Sequence, residues 1–293
     1  MKLFDLQGDG TLREYARMLD ASDDYRVLRR LPREDELWLV PTPSLGPDVT
    51  IGVIDVETTG LDDNAKIIEI ALLKMELVDG QLAQIGSPFQ MLEDPREPLK
   101  PEIVRITGLT DDDLRGRRFD ENRFAEELGS VDVLCAFNAK FDAGHLRARF
   151  SGLLHPWVCA RSDYDWAADG HEGRSQQALV ASMGHFYEAH RAAADIWALS
   201  MLIAMPAPDG RTIAAHLVDR GRKLETRITA MNAPFAVKDQ LKGRGYRWNP
   251  RHRHWSIDVA PAAAATEVEA LGHIHPLIRP VATAVDWFDR HLS

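Results

Sequence analysis

Residues 50–61 read TIGVIDVETTGL, a β-branched apolar run that carries two acids, Asp55 and Glu57, and stops abruptly in Thr58-Thr59-Gly60. Such a run favours a buried strand, and a buried strand holds charge only where something satisfies it. Asp55 and Glu57 are two residues apart, so in a strand both carboxylates leave the same face. Side by side they repel each other and lose solvation. A divalent cation would satisfy both, and open water at the strand mouth is the plainer alternative for an isolated pair. Gly60 permits close backbone approach, while Thr58 and Thr59 place hydroxyls and N–H groups near both acids.

The sequence on either side extends this strand into a sheet. KIIEIALLKMEL (66–77) and QLAQIGSPFQML (81–92) flank Asp79-Gly80, a strong two-residue hairpin signal, and predict an antiparallel meander of three strands. An amphipathic FAEELGS, a short apolar strand VDVLCAF, a helix from about Lys140, a strand around HPWVCAR and helices near 174–183 and 191–204 follow. A meander followed by alternating strand and helix implies a mixed α/β sheet with helices on its faces.

Two further acidic patterns lie in this segment. FNAKFDAGHL puts Asp142 at a helix start directly after an apolar strand, where it could simply complement the helix dipole. HRAAADIWAL opens the last long helix with His190 and Asp195, which taken alone would read as a cap and a surface charge. In this order and spacing, the set resembles the DnaQ-like exonuclease family of the DEDD type, in its histidine-containing branch (DEDDh). Residues 55–61 match its first motif, 137–142 its second, and His190 with Asp195 its third, while ITGLTDDDL (106–114) resembles the loop between the first two.

The resemblance implies a ribonuclease-H-like fold with a five-stranded mixed sheet, over about residues 50–205. It implies a metal-dependent 3′→5′ exonuclease that releases nucleoside 5′-monophosphates with two Mg²⁺ or Mn²⁺ ions, the hard cations that oxygen ligands favour. Asp55 would bridge the two ions, Glu57 and Asp195 would hold the one beside the nucleophile, and Asp142 would serve the other through water. His190 would act as general base, a task for which histidine is suited near neutrality. Thr58, Thr59 and Gly60 would surround the terminal sugar, Leu61 would pack on a base, and Asn138 and Phe141 would line the groove, with Phe141 equally fit for the core. His145, His171 and His185 are read as packing or surface residues. The implied partner is a single-stranded 3′ end, DNA favoured over RNA, together with a separate polymerase or repair protein. An RNA-processing exoribonuclease is the alternative within the same chemistry, and a non-catalytic nucleic-acid-binding subunit the alternative outside it.

The charge of −10 at first argues against a nucleic-acid partner, but it is unevenly spread: residues 1–50 carry −3, 51–221 carry −11, 222–255 carry +7 and 256–293 carry −3. Divalent ions in an acidic site invert its local charge, so the sign alone excludes nothing. The basic segment interleaves nine Lys and Arg with Tyr246, Trp248 and Trp255. It predicts a strand, a short helix and a hairpin turning at Asn249-Pro250, the start of a small α+β module over 222–293. Aromatics among Arg and Lys can hold a strand of nucleic acid, or they can be the core of a tiny domain whose charges keep it soluble. Residues 1–49 read as a small N-terminal appendage, with a helical LREYARMLDAS and a linker rich in Pro41, Pro43, Gly46 and Pro47. The chain has two cysteines, no zinc-type spacing, no basic-plus-apolar leader and no long apolar run, which together predict a reduced, cytoplasmic protein with no membrane association.

Overall fold

The computed structural model describes residues 10–33, 46–62, 64–250 and 252–292. Two compact units result, Met1–Arg220 and Gly221–Ser293.

In chain order the first unit comprises α1 (Gly10–Asp20), β1 (Arg29–Arg30), β2 (Val49–Thr58), β3 (Ile67–Val78), β4 (Gln81–Ile85), β5 (Phe89–Leu92), α2 (Pro101–Thr107), α3 (Asp111–Leu114), α4 (Glu121–Leu128), β6 (Val133–Ala136), α5 (Ala139–Arg149), β7 (Trp157–Cys159), α6 (Gln176–Ser182), β8 (His185–Phe186) and α7 (Ala192–Ile203), with α8 (Ile213–Arg222) at its end. The main sheet runs β4-β3-β2-β6-β7, with β5 also paired to β3. β2 is antiparallel to β3 and parallel to β6, giving the expected mixed sheet.

The sheet has six strands rather than the expected five. The run 81–92 divides into β4 and β5, both antiparallel to β3, because Gly86-Ser87-Pro88 interrupts it and proline has no N–H to give a ladder. The hairpin turn falls where expected. Asp79 and Gly80 have φ of 51° and 72°, the pair of left-handed residues that a type I′ turn requires.

β2 is central because it is apolar on both faces. Ile51, Val53 and Ile54 are fully buried, each side chain contributing roughly 1.5–3 kcal/mol. At Gly52 a Cβ would sit 2.9 Å from both Leu134 and Val131, so only glycine lets β6 lie this close. α7 packs over β2 and β3, and its sequence AAADIWALSMLI is apolar nearly all round, as a helix buried on most sides must be. Asp195 in its first turn is the exception. Cys135 and Cys159 are both buried and free.

The N-terminal stretch touches this unit: β1 pairs in parallel with β8, Leu31 is buried, and the Trp197 indole donates to the Pro32 carbonyl at 2.8 Å. The expected linker prolines Pro41 and Pro43 lie outside the described residues. Among the described residues no helix is long and apolar enough to cross a membrane.

The second unit is an antiparallel sheet ordered β10-β11-β9-β12, with β9 (Glu225–Met231), β10 (Arg247–Asn249), β11 (His254–Val259) and β12 (Arg279–Val285). The short helix α9 (Lys238–Gly243) and the alanine-rich α10 (Ala264–Ile274) complete it. The sequence reading did not include β12, whose RPVATAV is short of bulky residues and carries Pro280; an edge strand tolerates that proline. The aromatics divide between both readings. Tyr246 and Trp255 join Ile228, Leu241 and Leu271 in the core, whereas Trp248 is 46% and Phe235 80% exposed. The C-terminal DWFDRHL packs back through Arg290, which is buried and donates to Glu225 at 2.9 Å.

Candidate active site

β2 ends at the site, and its period of two sets Asp55 and Glu57 side by side, as the sequence requires. The first turn of α7 brings Asp195 to them from 138 residues further along the chain. One carboxylate oxygen each from Asp55, Glu57 and Asp195 lies within 4.8 Å of the others. Asp142, buried in the first turn of α5, accepts a hydrogen bond from the Val56 N–H at 3.2 Å, which holds it against the same strand between the two acids.

Asp195 is fixed from two sides. The Tyr187 hydroxyl donates to Oδ1 at 2.7 Å and the His190 N–H to Oδ2 at 2.7 Å, while the Gln176 amide donates to the Asp195 carbonyl at 2.8 Å and to the Tyr187 hydroxyl at 2.9 Å. Burial and the Asp195 charge push the Tyr187 hydroxyl well above its ordinary range, so it remains a donor. His190 adopts φ 70°, an uncommon conformation for a residue with a side chain, and its N–H bond to Asp195 offsets that strain. Its imidazole is exposed at the rim.

Burial raises Asp55 well above its usual value, and the charges of Asp142, Asp195, Glu57 and Glu69 add to it. Glu57 is pushed up to about 8 by burial and by Asp195, Glu69 and Asp142, with Arg191 opposing. Asp142 rises to about 7 through burial, against the Val56 N–H. Among the described residues neither Asp55 nor Glu57 receives a hydrogen bond or ion pair from a side chain. Four crowded carboxylates, two of them without a protein partner, are the donor set that a hard divalent cation satisfies.

A pH dependence follows. Between its ordinary 4.5 and about 8, Glu57 binds a proton in the fold that the unfolded chain releases, so the stability linked to this group is fully present below pH 4.5 and is lost as pH rises toward 8. Each unit corresponds to about 1.4 kcal/mol. In chelator, the melting temperature should therefore fall between pH 5 and pH 8, and Mg²⁺ or Mn²⁺ should raise it more at pH 8 than at pH 5. Equal metal-induced shifts at the two pH values would show that the cluster does not bind metal through its ionised form.

Thr58 is buried with its hydroxyl donating to the Gly60 carbonyl, which shapes the turn. Thr59 and Lys66 bond reciprocally, N–H to carbonyl at 2.9 Å and Lys66 N–H to the Thr59 hydroxyl at 3.0 Å. A Cβ on Gly60 would meet Asp62 at an ordinary 3.5 Å, so the chain's own packing does not demand glycine there. Leu61 is 89% exposed. Asn138 is exposed at the N-terminus of α5, and Phe141 is partly buried with its ring 4.6 Å from that of His145. His145, His171 and His185 lie outside the carboxylate group, with His171 packed on Trp166.

The sequence reading missed Glu69, Gln90, Gln176, Tyr187 and Arg191. Glu69 lies opposite Glu57 in the β2–β3 ladder and is fully buried. It accepts from Arg191 at 3.2 and 3.3 Å, from the Ala192 N–H at 3.3 Å and from Gln90. Glu69 therefore caps the start of α7 and fixes the residue between His190 and Ala192. One signal for it was present: a lone acid inside IIEIALL must find partners in a buried strand.

The exonuclease family, RNase_T, matches residues 53–202. DNA polymerase III PolC-type of Halalkalibacterium halodurans is 42% identical over 105 residues, and that of Bacillus subtilis 39% over 108. Those alignments cover 34% and 36% of this chain, and the chain spans only 7% of either relative. Among solved structures, exonuclease X in complex with 5′ overhanging duplex DNA aligns over 58% of this chain and 90% of its own, at 24% identity and a TM-score of 0.40. E. coli exonuclease I with a dT13 oligonucleotide aligns over 62% and 48%, at 17% identity and a TM-score of 0.47. With the family matched across the segment that carries the four carboxylates, the chain belongs to the exonuclease family, as a DnaQ-like member of the ribonuclease-H-like superfamily.

Proposed function

We propose that this chain is a 3′→5′ exonuclease of the DEDDh type, taking single-stranded 3′ ends, with DNA favoured over RNA, and releasing nucleoside 5′-monophosphates. The observation that carries the reading is the convergence of Asp55, Glu57, Asp195 and Asp142 at one strand end, with His190 on the rim beside Asp195. Two Mg²⁺ or Mn²⁺ ions held by these carboxylates would supply water activation and neutralise the charge that develops on the phosphate. His190 is free to face the substrate because its backbone, not its ring, holds Asp195; an imidazole nitrogen there can take the proton of the attacking water. Thr59 and Leu61, on the turn that follows Glu57, would meet the terminal nucleotide, with Leu61 offering an exposed apolar side chain to a base. The PolC-type relatives support DNA, and a polymerase or repair protein in the cytoplasm is the corresponding partner.

Residues 50–205 carry this chemistry, and the module at 222–293 serves as a second contact with nucleic acid. Support for that role is confined to part of its basic segment. Arg227 and Arg244 are neutralised by Asp258 and Glu267, whereas exposed Phe235, with the Lys238 ammonium 4.1 Å from its ring centre, and half-exposed Trp248 beside Arg247 remain open to a strand.

Matched DNA and RNA oligomers, incubated with the purified protein and Mg²⁺ or Mn²⁺, test the proposal. Mononucleotides should appear successively from the 3′ end, faster from DNA, and chelator should stop their release. Internal fragments, release from the 5′ end or indifference to chelator would overturn it.

A further inference from the structure

Beside the carboxylate site the first unit holds a cavity of about 820 Å³. Lys66 in its wall is bonded reciprocally to Thr59, two residues beyond Glu57. His145, also in the wall, follows Asp142 by one turn of α5. The cavity therefore adjoins the site on the side of the Thr59 turn and α5.

Its wall carries charges of both signs, but they differ in what is left to bind. Glu93 and Glu121 are held by Arg149 at 3.0 and 2.9 Å. Asp120 caps α4 by accepting from the Arg123 N–H at 2.9 Å. Asp94 accepts from the N–H groups of Arg96 at 2.7 Å and Gly116 at 2.9 Å. The Lys66 ammonium is taken by Glu97 at 3.2 Å and the Pro95 carbonyl at 2.8 Å. Arg96, Arg117 and Arg118 remain: all three are exposed, and among the described residues none makes a side-chain hydrogen bond or ion pair.

The two loops that carry these three are joined through Asp94. Asp94 bonds through its carboxylate to the backbones of both Arg96 and Gly116, and its own N–H donates to the Arg117 carbonyl at 3.1 Å. That stitch ties the loop after β5 to the loop after α3 and holds Arg96 at φ 57°. Both loops thereby line the same cavity.

We propose that Arg96, Arg117 and Arg118 form a phosphate track along which the single strand leading to the carboxylate site is held. The proposal rests on the exonuclease reading and deepens it by naming how the polymer is gripped beyond its terminal nucleotide. Guanidinium groups match phosphate oxygens in a two-pronged fashion. The wall offers no exposed aromatic face, since Phe119 is buried with Arg149 packed 5.9 Å from its ring centre, so the grip reads backbone rather than base and is indifferent to sequence.

The test compares the full chain with the Arg117→Gln/Arg118→Gln variant. Binding of a fluorescent 20-mer in chelator, measured across salt concentrations, should weaken roughly tenfold, and the slope of log affinity against log salt should fall by about 1.4, at about 0.7 per lost contact. In Mg²⁺, the preference in kcat/KM for a 20-mer over a dinucleotide should shrink by a similar factor, because a dinucleotide has no second phosphate to place in the track. An unchanged salt slope, or equal losses on both substrates, would overturn the track. If the unaltered chain cleaves neither substrate while the slope still falls, the exonuclease reading fails and the phosphate surface stands. If the unaltered chain shows no salt-dependent binding, the track fails.

Discussion

Replacing Asp55 by asparagine will lower turnover of a 3′-labelled oligomer by about 10³-fold or more, while raising the melting temperature of the metal-free protein. The first effect follows from the position of Asp55 within the carboxylate group, where loss of its charge would remove several kcal/mol of transition-state stabilisation that cations held there would supply, at about 1.4 kcal/mol per tenfold in rate. The second has the opposite sign because without metal the same charge is a burden. Burial and four neighbouring carboxylates hold Asp55 well above its ordinary value, and every unit of that rise costs the fold about 1.4 kcal/mol at pH values above it. An uncharged isostere escapes this cost. A gain of about 2 kcal/mol in a chain of this size corresponds to roughly 4–8 °C. Calorimetry in chelator at pH 8 and an oligomer assay in Mg²⁺ would read both effects from one preparation. Retained activity, or a melting temperature that drops in chelator, would mean that Asp55 is not part of a metal-holding cluster.

Glu69→Ala should be the most damaging change outside the four carboxylates. It would leave the Ala192 N–H at the first turn of α7 and the Gln90 amide without their acceptor, at about 1–3 kcal/mol for a buried unsatisfied donor. The Arg191 guanidinium is 43% exposed and can turn to water, so its pairing with Glu69 adds little to that sum. A loss of about 3 kcal/mol lowers the melting temperature by roughly 6–12 °C. The functional consequence is a separate readout. α7 carries Asp195 in its first turn, and partners that orient metal ligands are typically worth 10–100-fold in metal affinity. The Mg²⁺ concentration for half-maximal activity should rise by that order in Glu69→Ala, and Glu69→Gln should restore part of it, since the amide oxygen can still accept one bond. A lowered melting temperature with an unchanged Mg²⁺ requirement would reduce Glu69 to a residue of the fold alone.

The contrast between these two acids shows what the sequence makes visible. Asp55 announces itself, since it shares a strand with Glu57 at a spacing that fixes both on one face. Glu69 lies in an equally apolar run, yet its role depends on Arg191 and the Ala192 N–H, more than 120 residues away, and no local pattern pairs them. Asp142 and Asp195 stand between the two cases: their sequence contexts suggest helix starts, and only their order with the first motif gives them a common purpose. Tyr187 and Gln176 offered no signal, because a lone tyrosine before a helix or a glutamine in a helix's first turn has many ordinary uses. The split of the third strand was foreshadowed by Pro88, while β12, with its small residues and Pro280, resembles a loop until β9 pairs with it.

By itself the sequence determined the buried strand, the hairpin turn at Asp79-Gly80, the mixed α/β class and the pairing of Asp55 with Glu57 on one strand face, because side-chain periodicity and turn stereochemistry are local properties. Tertiary structure alone decided which partners hold those acids, how Asp195 is oriented through the strained backbone of His190, which aromatics of the basic module remain exposed, and which arginines beside the site make no side-chain hydrogen bond or ion pair among the described residues. Each of these depends on the field and the hydrogen-bond partners that distant segments bring together, and burial, desolvation and pairing are properties of the packed chain.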